Sequence, residues 1–349
     1  MIDKNFCLSS YIAYRYIYQD DIDFFDGLKH SNFKLPADSE KKYIKNAAEI
    51  DHCIQEQFDL LYKKHSNIGI LLSGGMDSAI LASYLKPGSH AYTFCTDNSD
   101  IYNEDIERAR EYCKRFRLIH HLVNISFDDY KKYTPIVMEN KCAPVHSIEP
   151  QIYKAALEAK SNGVEVMIIG DGADYVFGGM DKLLSRDWLF DEFVKRYTTL
   201  DPKLVLSNPV DVTGIFEPYR LPENKIDFQK FLKGPTTIES YGSYMNALNS
   251  ANMQYLDPYE IMEMSQELDL SRIRNGESKY LIRELYSLKY PDIDIPTKIP
   301  MPRPVDIIFE NWDGPKRKEF KENIPMHLLT GNQKWQLWCA ELFLDIYSI

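Results

Sequence analysis

Two short stretches of this chain place carboxylates beside paired glycines. The first is Ser73-Gly74-Gly75-Met76-Asp77-Ser78, which follows an apolar run over 68–72 and precedes a helical pattern over 79–85. That order reads as a buried strand, a tight turn and a helix N-terminus. Several backbone N–H groups then converge on one spot with the helix dipole behind them, which suits a phosphate chain. Gly74 and Gly75 allow close approach because no Cβ intervenes. Asp77, on the first helical turn, is placed to hold the Mg²⁺ that such a phosphate chain brings. The lysine of the Gly-x-x-x-x-Gly-Lys-Ser/Thr loop is absent, so this is a different phosphate loop from the common one. An ordinary glycine-rich turn between strand and helix would share these six residues, so a second feature has to decide.

That feature is Gly170-Asp171-Gly172-Ala173-Asp174-Tyr175-Val176-Phe177-Gly178-Gly179, at the end of an apolar run over 164–169. A helix beginning near Asp171 would carry both carboxylates on its first turn. Asp174 could then share a metal with Asp77, and Asp171 would lie closer to the open cleft. A helix N-cap followed by an Asp that complements the dipole would read the same way.

The elements that must position these turns alternate. Apolar runs over 68–72, 91–95, 119–125 and 164–169 read as strands, with helices over 103–116 and 148–161 between them. Short buried strands separated by helices indicate βαβ units and a parallel sheet, whose ligands sit at the carboxyl ends of the strands. Both glycine turns fall at such ends. Upstream, residues 39–64 have a helical pattern. Beyond residue 180 the strand signal fades, and 260–268, 279–288 and 333–347 have helical periodicity. Between them, residues 291–304 hold five prolines, which stiffen the segment by fixing φ. The expected organisation is a lead-in segment over 1–65, a nucleotide-binding core over 66–185 and a mostly helical region over 186–349.

Composition bounds the function. The 349 residues carry a net charge of −11, which argues against a nucleic-acid surface. None of the six cysteines forms a Cys-x-x-Cys pair, which gives zinc, iron–sulfur and redox readings little support. No signal-peptide pattern opens the sequence, and no apolar run is long enough to span a membrane. A cytoplasmic protein with no membrane partner is expected.

Together the two turns resemble the synthetase domain of the asparagine synthetase and β-lactam synthetase family, a group of N-type ATP pyrophosphatases. That family carries Ser-Gly-Gly-x-Asp-Ser and later Gly-Glu-Gly-x-Asp-Glu-x-Phe-Gly-Gly. Here Asp171 and Tyr175 stand where that pattern has Glu. Three downstream stretches are also similar: Tyr255-Leu256-Asp257-Pro258, then Asn275 to Glu284 with Lys279 and Arg283, and the closing segment around Trp335 and Trp338. Pro296-Thr297-Lys298 matches the family's Arg-x-Lys with the Arg lost. The resemblance implies an α/β fold, adenine nucleotide alpha hydrolase-like, with a five-stranded parallel sheet flanked by helices and a helical C-terminal substrate region. Glutamine-using members begin with a catalytic Cys directly after Met. Ile2 stands there, so a chain without its own glutaminase is expected, with ammonia or an amine supplied from elsewhere, for instance by a separate glutaminase.

The implied chemistry is ATP-dependent. A small-molecule carboxylate attacks the α-phosphorus of ATP, pyrophosphate leaves, and ammonia or an amine displaces AMP from the acyl-adenylate. By resemblance Ser73, Gly74, Gly75 and Ser78 cradle pyrophosphate, and Asp77 and Asp174 bind Mg²⁺. Leu71, Phe94 and Gly170 contact adenosine, and Lys298 neutralises charge near the α-phosphate. Asp171 stands where asparagine synthetases place a Glu proposed to handle the incoming ammonia. A nearby metal would pull its pKa down. Glu104 and His146 face the cleft in the family's layout, with roles left open. Arg303 either clamps a substrate anion or packs a rigid loop on Trp312. Two other uses of the same machinery stay open: an intramolecular cyclisation, as in β-lactam synthetases, and modification of tRNA.

Overall fold

The computed structural model of the protein describes residues 1–96 and 103–348. At its centre is strand β1 (Ile68–Leu71), with all four residues buried. Around it lie β2 (His90–Cys95), β3 (Ile119–Asn124), β4 (Val166–Ile168) and β5 (Gln254–Leu256). Every pair is parallel, in the order β3-β2-β1-β4-β5. Parallel strands need helical crossovers that cover both faces, which explains why β1 and β4 are apolar throughout. The order reverses between β1 and β4, so the connections leaving them diverge and open a crevice at their carboxyl ends. Ile68 stands opposite Val166, and Ile70 opposite Ile168. The two glycine turns therefore emerge side by side.

Among the helices of the described residues are α1 (Lys4–Tyr14), α2 (Ala47–Tyr62), α3 (Met76–Ala82), α4 (Asn103–Phe116), α5 (Phe127–Lys141), α6 (Glu149–Ser161), α7 (Ala173–Val176), α8 (Thr237–Ser250), α9 (Tyr280–Lys289) and α10 (Gly331–Tyr347). Local sequence starts several of them. The Asn46 side chain accepts the Glu49 N–H at the head of α2. Ser126 with Asp129, and Thr330 with Gln333, form capping boxes at α5 and α10.

The helix expected over 39–64 divides. Lys42–Ile44 is a strand pairing in parallel with Met262–Met264, and α2 begins only after the Asn46 cap. Residues 260–268, expected as helix, supply that partner strand instead. Met262 and Met264 are buried while Glu263 between them is half-buried, a period of two rather than 3.6. Helix α5 contains Pro135, a breaker in any pattern reading. Strand β5 has only three residues, too few to show a period. The expected five-stranded parallel sheet is present, with β5 as its fifth member.

Helix α1 is buried from Phe6 to Tyr14 and belongs to the same hydrophobic core as the sheet. The Tyr11 hydroxyl and the Trp335 indole N–H both donate to the Val145 carbonyl, at 2.8 and 3.0 Å. Gln336 Nε2 donates to the carbonyls of Tyr11 and Ile12, each at 3.1 Å. The first and last helices are thus fastened to each other and to the segment before α6. No disulfide links the cysteines, and among the described residues no helix is long and apolar enough to cross a membrane.

Candidate active site

The turn after β1 is held from within and from α4. The Ser73 N–H donates to Ser78 Oγ at 3.1 Å, and the two hydroxyls lie 3.0 Å apart. The Gly74 N–H donates to Asp105 Oδ1 at 2.8 Å. A Cβ on Gly74 would stand 2.7 Å from the Asp105 carbonyl oxygen, so close packing of turn on helix requires glycine here. The expectation for Glu104 is corrected by one position. Glu104 is exposed and paired with Arg108 on its own helix, while Asp105 is buried and lines the cleft. Side chains one residue apart on a helix point about 100° apart, so only one of the two can face the turn.

The turn after β4 differs from expectation in one respect. Helix α7 begins at Ala173 behind Gly172, so Asp174 lies on its first turn and Asp171 precedes it. Asp257, just past β5, braces this turn. It accepts from the Gly172 N–H at 2.9 Å, the Tyr259 N–H at 2.9 Å and the Tyr241 hydroxyl at 3.0 Å. Burial outweighs these donors and pushes Asp257 up to about 7. A Cβ on Gly179 would collide with both Asp174 and Lys279.

Between the turns the two carboxylates meet. Lys279 Nζ lies 2.5 Å from Asp77 Oδ2 and 2.5 Å from Asp174 Oδ1. Lys298 Nζ donates to both Asp174 oxygens, at 2.9 and 2.7 Å. Burial works against the charge on both acids. Asp174 has two ammonium partners, which outweigh burial and hold it below the usual carboxylate range. Asp77 has only Lys279 in direct contact, and burial together with the Asp174 charge pushes it up. Lys279 is 2% exposed and sits at φ 53°, ψ 41°, in the left-handed region, immediately before α9. For a residue with a Cβ that conformation costs roughly 1–2 kcal/mol, which the two ion pairs offset.

Asp77 Oδ1 is buried with no hydrogen-bond partner. A buried carboxylate oxygen without a partner, next to a second carboxylate, fits a Mg²⁺ ion. Such an ion completes its shell from phosphate oxygens and water rather than from an all-protein cage.

These groups border a cavity of about 330 Å³. Leu71, Ser73, Asp77, Ser78, Phe94, Gly170, Asp171, Asp174 and Lys298 all line it, whereas Gly74 and Gly75 form the turn behind. Lys298 arrives on the proline-rich segment, which Arg108 ties to α4 by donating to the Thr297 carbonyl at 3.0 Å. Arg115 adds a two-pronged bond to Asp292, at 3.0 and 2.8 Å.

The opposite wall brings together Arg15, His146, Glu239, Ser240, Tyr244 and Arg303. Ser240 donates to Asp171 Oδ2 at 2.6 Å. Burial, reinforced by Asp257, Asp174 and Glu239, nevertheless pushes Asp171 up to about 8. That upward shift belongs to the site without a metal ion: acids crowd this side of the turn, and both lysines contact Asp174 rather than Asp171. His146 is held neutral by burial and by Arg15 and Arg303.

Among the residues at the site without an assigned role in the sequence reading are Lys279, Asp105, Asp257 and Arg15. Lys279 and Asp257 stood inside stretches with family resemblance, so spacing alone could have raised them. Arg15 carried no such signal, since it reaches the cavity from the far end of the chain.

A parallel sheet with two glycine turns at its switch point, and carboxylates bridged by lysines across them, defines a nucleotide-binding α/β protein. The comparisons narrow the class. The asparagine synthase family model matches residues 49–294, and the chain belongs to that family. Asparagine synthetase [glutamine-hydrolyzing] 2 of Bacillus subtilis (strain 168) is 27% identical over 166 residues, covering 44% of this chain and 21% of that protein. The asparagine synthetase [glutamine-hydrolyzing] of Sandersonia aurantiaca is 28% identical over 125 residues, covering 32% and 23%. Across such curated relatives the match spans 21% to 30% of the relative's length. Among solved structures, the NMN synthetase of Francisella tularensis aligns with a TM-score of 0.29 and 12% identity over 73% of this chain and 99% of that one. That likeness is too distant to carry a functional argument.

Proposed function

We propose that the protein is an ATP-dependent, AMP-forming ligase. It would activate a small-molecule carboxylate as its adenylate, release pyrophosphate and pass the acyl group to ammonia or an amine. The observation that carries this reading is the Asp77–Lys279–Asp174–Lys298 cluster, set between two glycine turns at the mouth of one cavity. Leaving pyrophosphate and a developing acyl oxyanion both need fixed positive charge; the two lysines place cations at this point, balanced by the two carboxylates, and a Mg²⁺ held by those carboxylates would supply the excess.

The turn residues Ser73, Gly74, Gly75 and Ser78 would hold pyrophosphate, and Leu71, Phe94 and Gly170 would contact the adenosine. Asp77 and Asp174 would hold Mg²⁺, which screens the phosphate charge when bound. Lys279 keeps the two carboxylates together, and Lys298 faces the reacting phosphate. Asp171, with a pKa of about 8, is poised to exchange a proton with the incoming amine near neutral pH. The nucleotide-binding role falls to residues 66–185, and residues 186–349 complete the site.

The test is exchange of labelled pyrophosphate into ATP over a panel of carboxylic acids, followed by AMP release with ammonia and then amines. A carboxylate-dependent exchange is expected. Absence of both exchange and AMP across the whole panel would refute adenylation.

A further inference from the structure

Tyr259 stands between the two glycine turns and touches both. It lies just past β5 in a tight corner, Asp257-Pro258-Tyr259-Glu260, closed by the Glu260 N–H donating to the Asp257 carbonyl at 3.1 Å. The residue is fully buried. Its hydroxyl donates to the backbone carbonyl of Asp77, on the first turn of α3, at 3.1 Å. Its other atoms pack on the second turn. A Cβ on Gly172 would stand 3.0 Å from the Tyr259 Cβ, and one on Gly170 would stand 3.6 Å from the Tyr259 ring. The Tyr259 N–H donates to Asp257 Oδ1 at 2.9 Å, and the Gly172 N–H donates to Oδ2 of the same carboxylate at 2.9 Å. A continuous path of bonds therefore runs from the backbone of Asp77, through Tyr259 and Asp257, to the backbone just before Asp174. Gln57 Nε2, on α2, donates to the Pro258 carbonyl at 2.9 Å and fastens the corner from outside.

The sheet alone does not do this work. The last ladder pair of β1 and β4 is Ile70 with Ile168, and both carboxylates lie beyond it. Lys279 joins them by charge, at 2.5 Å from each. A Mg²⁺ ion between the same oxygens would compete with Lys279 for them. The path through Tyr259 uses none of those oxygens. Its contact with α3 is a neutral hydroxyl on a main-chain carbonyl, which neither a metal nor phosphate charge displaces. Mg²⁺ demands near-ideal octahedral geometry, so the separation of the two turns bears directly on how well it is held.

We infer that Tyr259 is a positioning residue: with Asp257 it ties the two turns into one unit and sets the spacing of Asp77 and Asp174 for the metal. The inference rests on the reading of those two acids as Mg²⁺ ligands, but the tie itself can be measured without metal.

Mn²⁺, a spectroscopic substitute for Mg²⁺, would be titrated by electron paramagnetic resonance into the full chain with α,β-methylene-ATP present. Tyr259→Phe keeps the ring and removes the hydroxyl. It should weaken Mn²⁺ binding about threefold to tenfold, the worth of one hydrogen bond, with metal-free affinity for the ATP analogue unchanged. Asp257→Asn, whose amide nitrogen cannot accept, should weaken it as well. Where that variant does not fold, Tyr241→Phe, which strips the donor at 3.0 Å from Asp257, replaces it. Because both substitutions break one tie, the double variant should bind Mn²⁺ no more weakly than the weaker single variant. Unchanged Mn²⁺ affinity in Tyr259→Phe, whether or not its urea midpoint falls, would mark a merely structural residue and overturn the inference, as would fully additive losses. Asp77→Asn checks the underlying reading. If it binds Mn²⁺ as tightly as the parent, the metal assignment falls and amide hydrogen exchange decides the tie. Asp257→Asn, or its replacement, should still speed exchange over 73–78, the turn on the far side of Tyr259, and unaltered exchange there would overturn it.

Discussion

Lys279 and Lys298 touch the same carboxylate from opposite surroundings, and substitution should separate their roles. Lys279 is enclosed between Asp77 and Asp174, whereas the Lys298 side chain is 59% exposed. Removing Lys279 leaves two buried acids without their shared cation. Lys279→Met should therefore cost about 3–5 kcal/mol in urea unfolding. Lys298→Met should cost no more than about 1 kcal/mol and yet lower pyrophosphate exchange by roughly 10²–10³. Equal stability losses for the two would contradict this division. Asp171 gives a pH signature. Its folded value of about 8 lies above the ordinary 3.8, so the folded protein keeps a proton that the unfolded chain releases. The associated stability is complete below about pH 4 and is lost as pH rises toward 8. Asp171→Asn cannot ionise, so urea midpoints between those limits should fall less with pH than in the parent. The sequence disclosed Asp77 and Asp174 because glycine-flanked acids at strand ends are a local pattern. It disclosed neither the acids that crowd Asp171 nor the bridging by Lys279. Both depend on residues that are distant in the chain and close only after folding.

The proline-rich segment shows what an element without regular structure can do. It positions Lys298 and Arg303, and its ties to α4 are the Arg108–Thr297 hydrogen bond and the Arg115–Asp292 pair. These ties are exposed, so they contribute little to global stability but restrict the loop. Arg108→Ala should shift urea unfolding by less than about 1 kcal/mol. It should also speed proteolytic cleavage within 293–303 and lower the rate of exchange. Unaltered cleavage would show that the prolines alone suffice. Helices α4, α9 and α10 were legible because their own periodicity defines them, with a capping box at the head of α10. The Lys42–Ile44 and Met262–Met264 strands were not, because three residues on each side become a strand only through the other. Helix α5 was hidden by Pro135, which its surroundings tolerate.

In the whole molecule, the first fifteen residues act as a structural support. Phe6, Leu8, Tyr11, Ile12 and Tyr14 are buried, and each such side chain contributes about 1.5–3 kcal/mol when fully buried. Their sum approaches the total stability of a typical domain, about 5–15 kcal/mol. A chain lacking residues 1–15 should show no cooperative thermal transition by circular dichroism, whereas the full chain should melt cooperatively. A truncated protein melting like its parent would contradict the assignment of α1 to the core. The pairing of Ile70 with Ile168 across β1 and β4 also has a bearing on how such a protein can diverge. One residue added to either strand would slide its turn by about 3.3 Å and exchange the side chains on its two buried faces, which would pull Asp77 and Asp174 out of reach of a common cation. Length in those two strands is therefore frozen. The long excursion from α7 to β5 and the segment bearing Arg303 have no ladder to keep in step. Insertions, deletions and changes of acid preference can accumulate there while the phosphate machinery stays as it is.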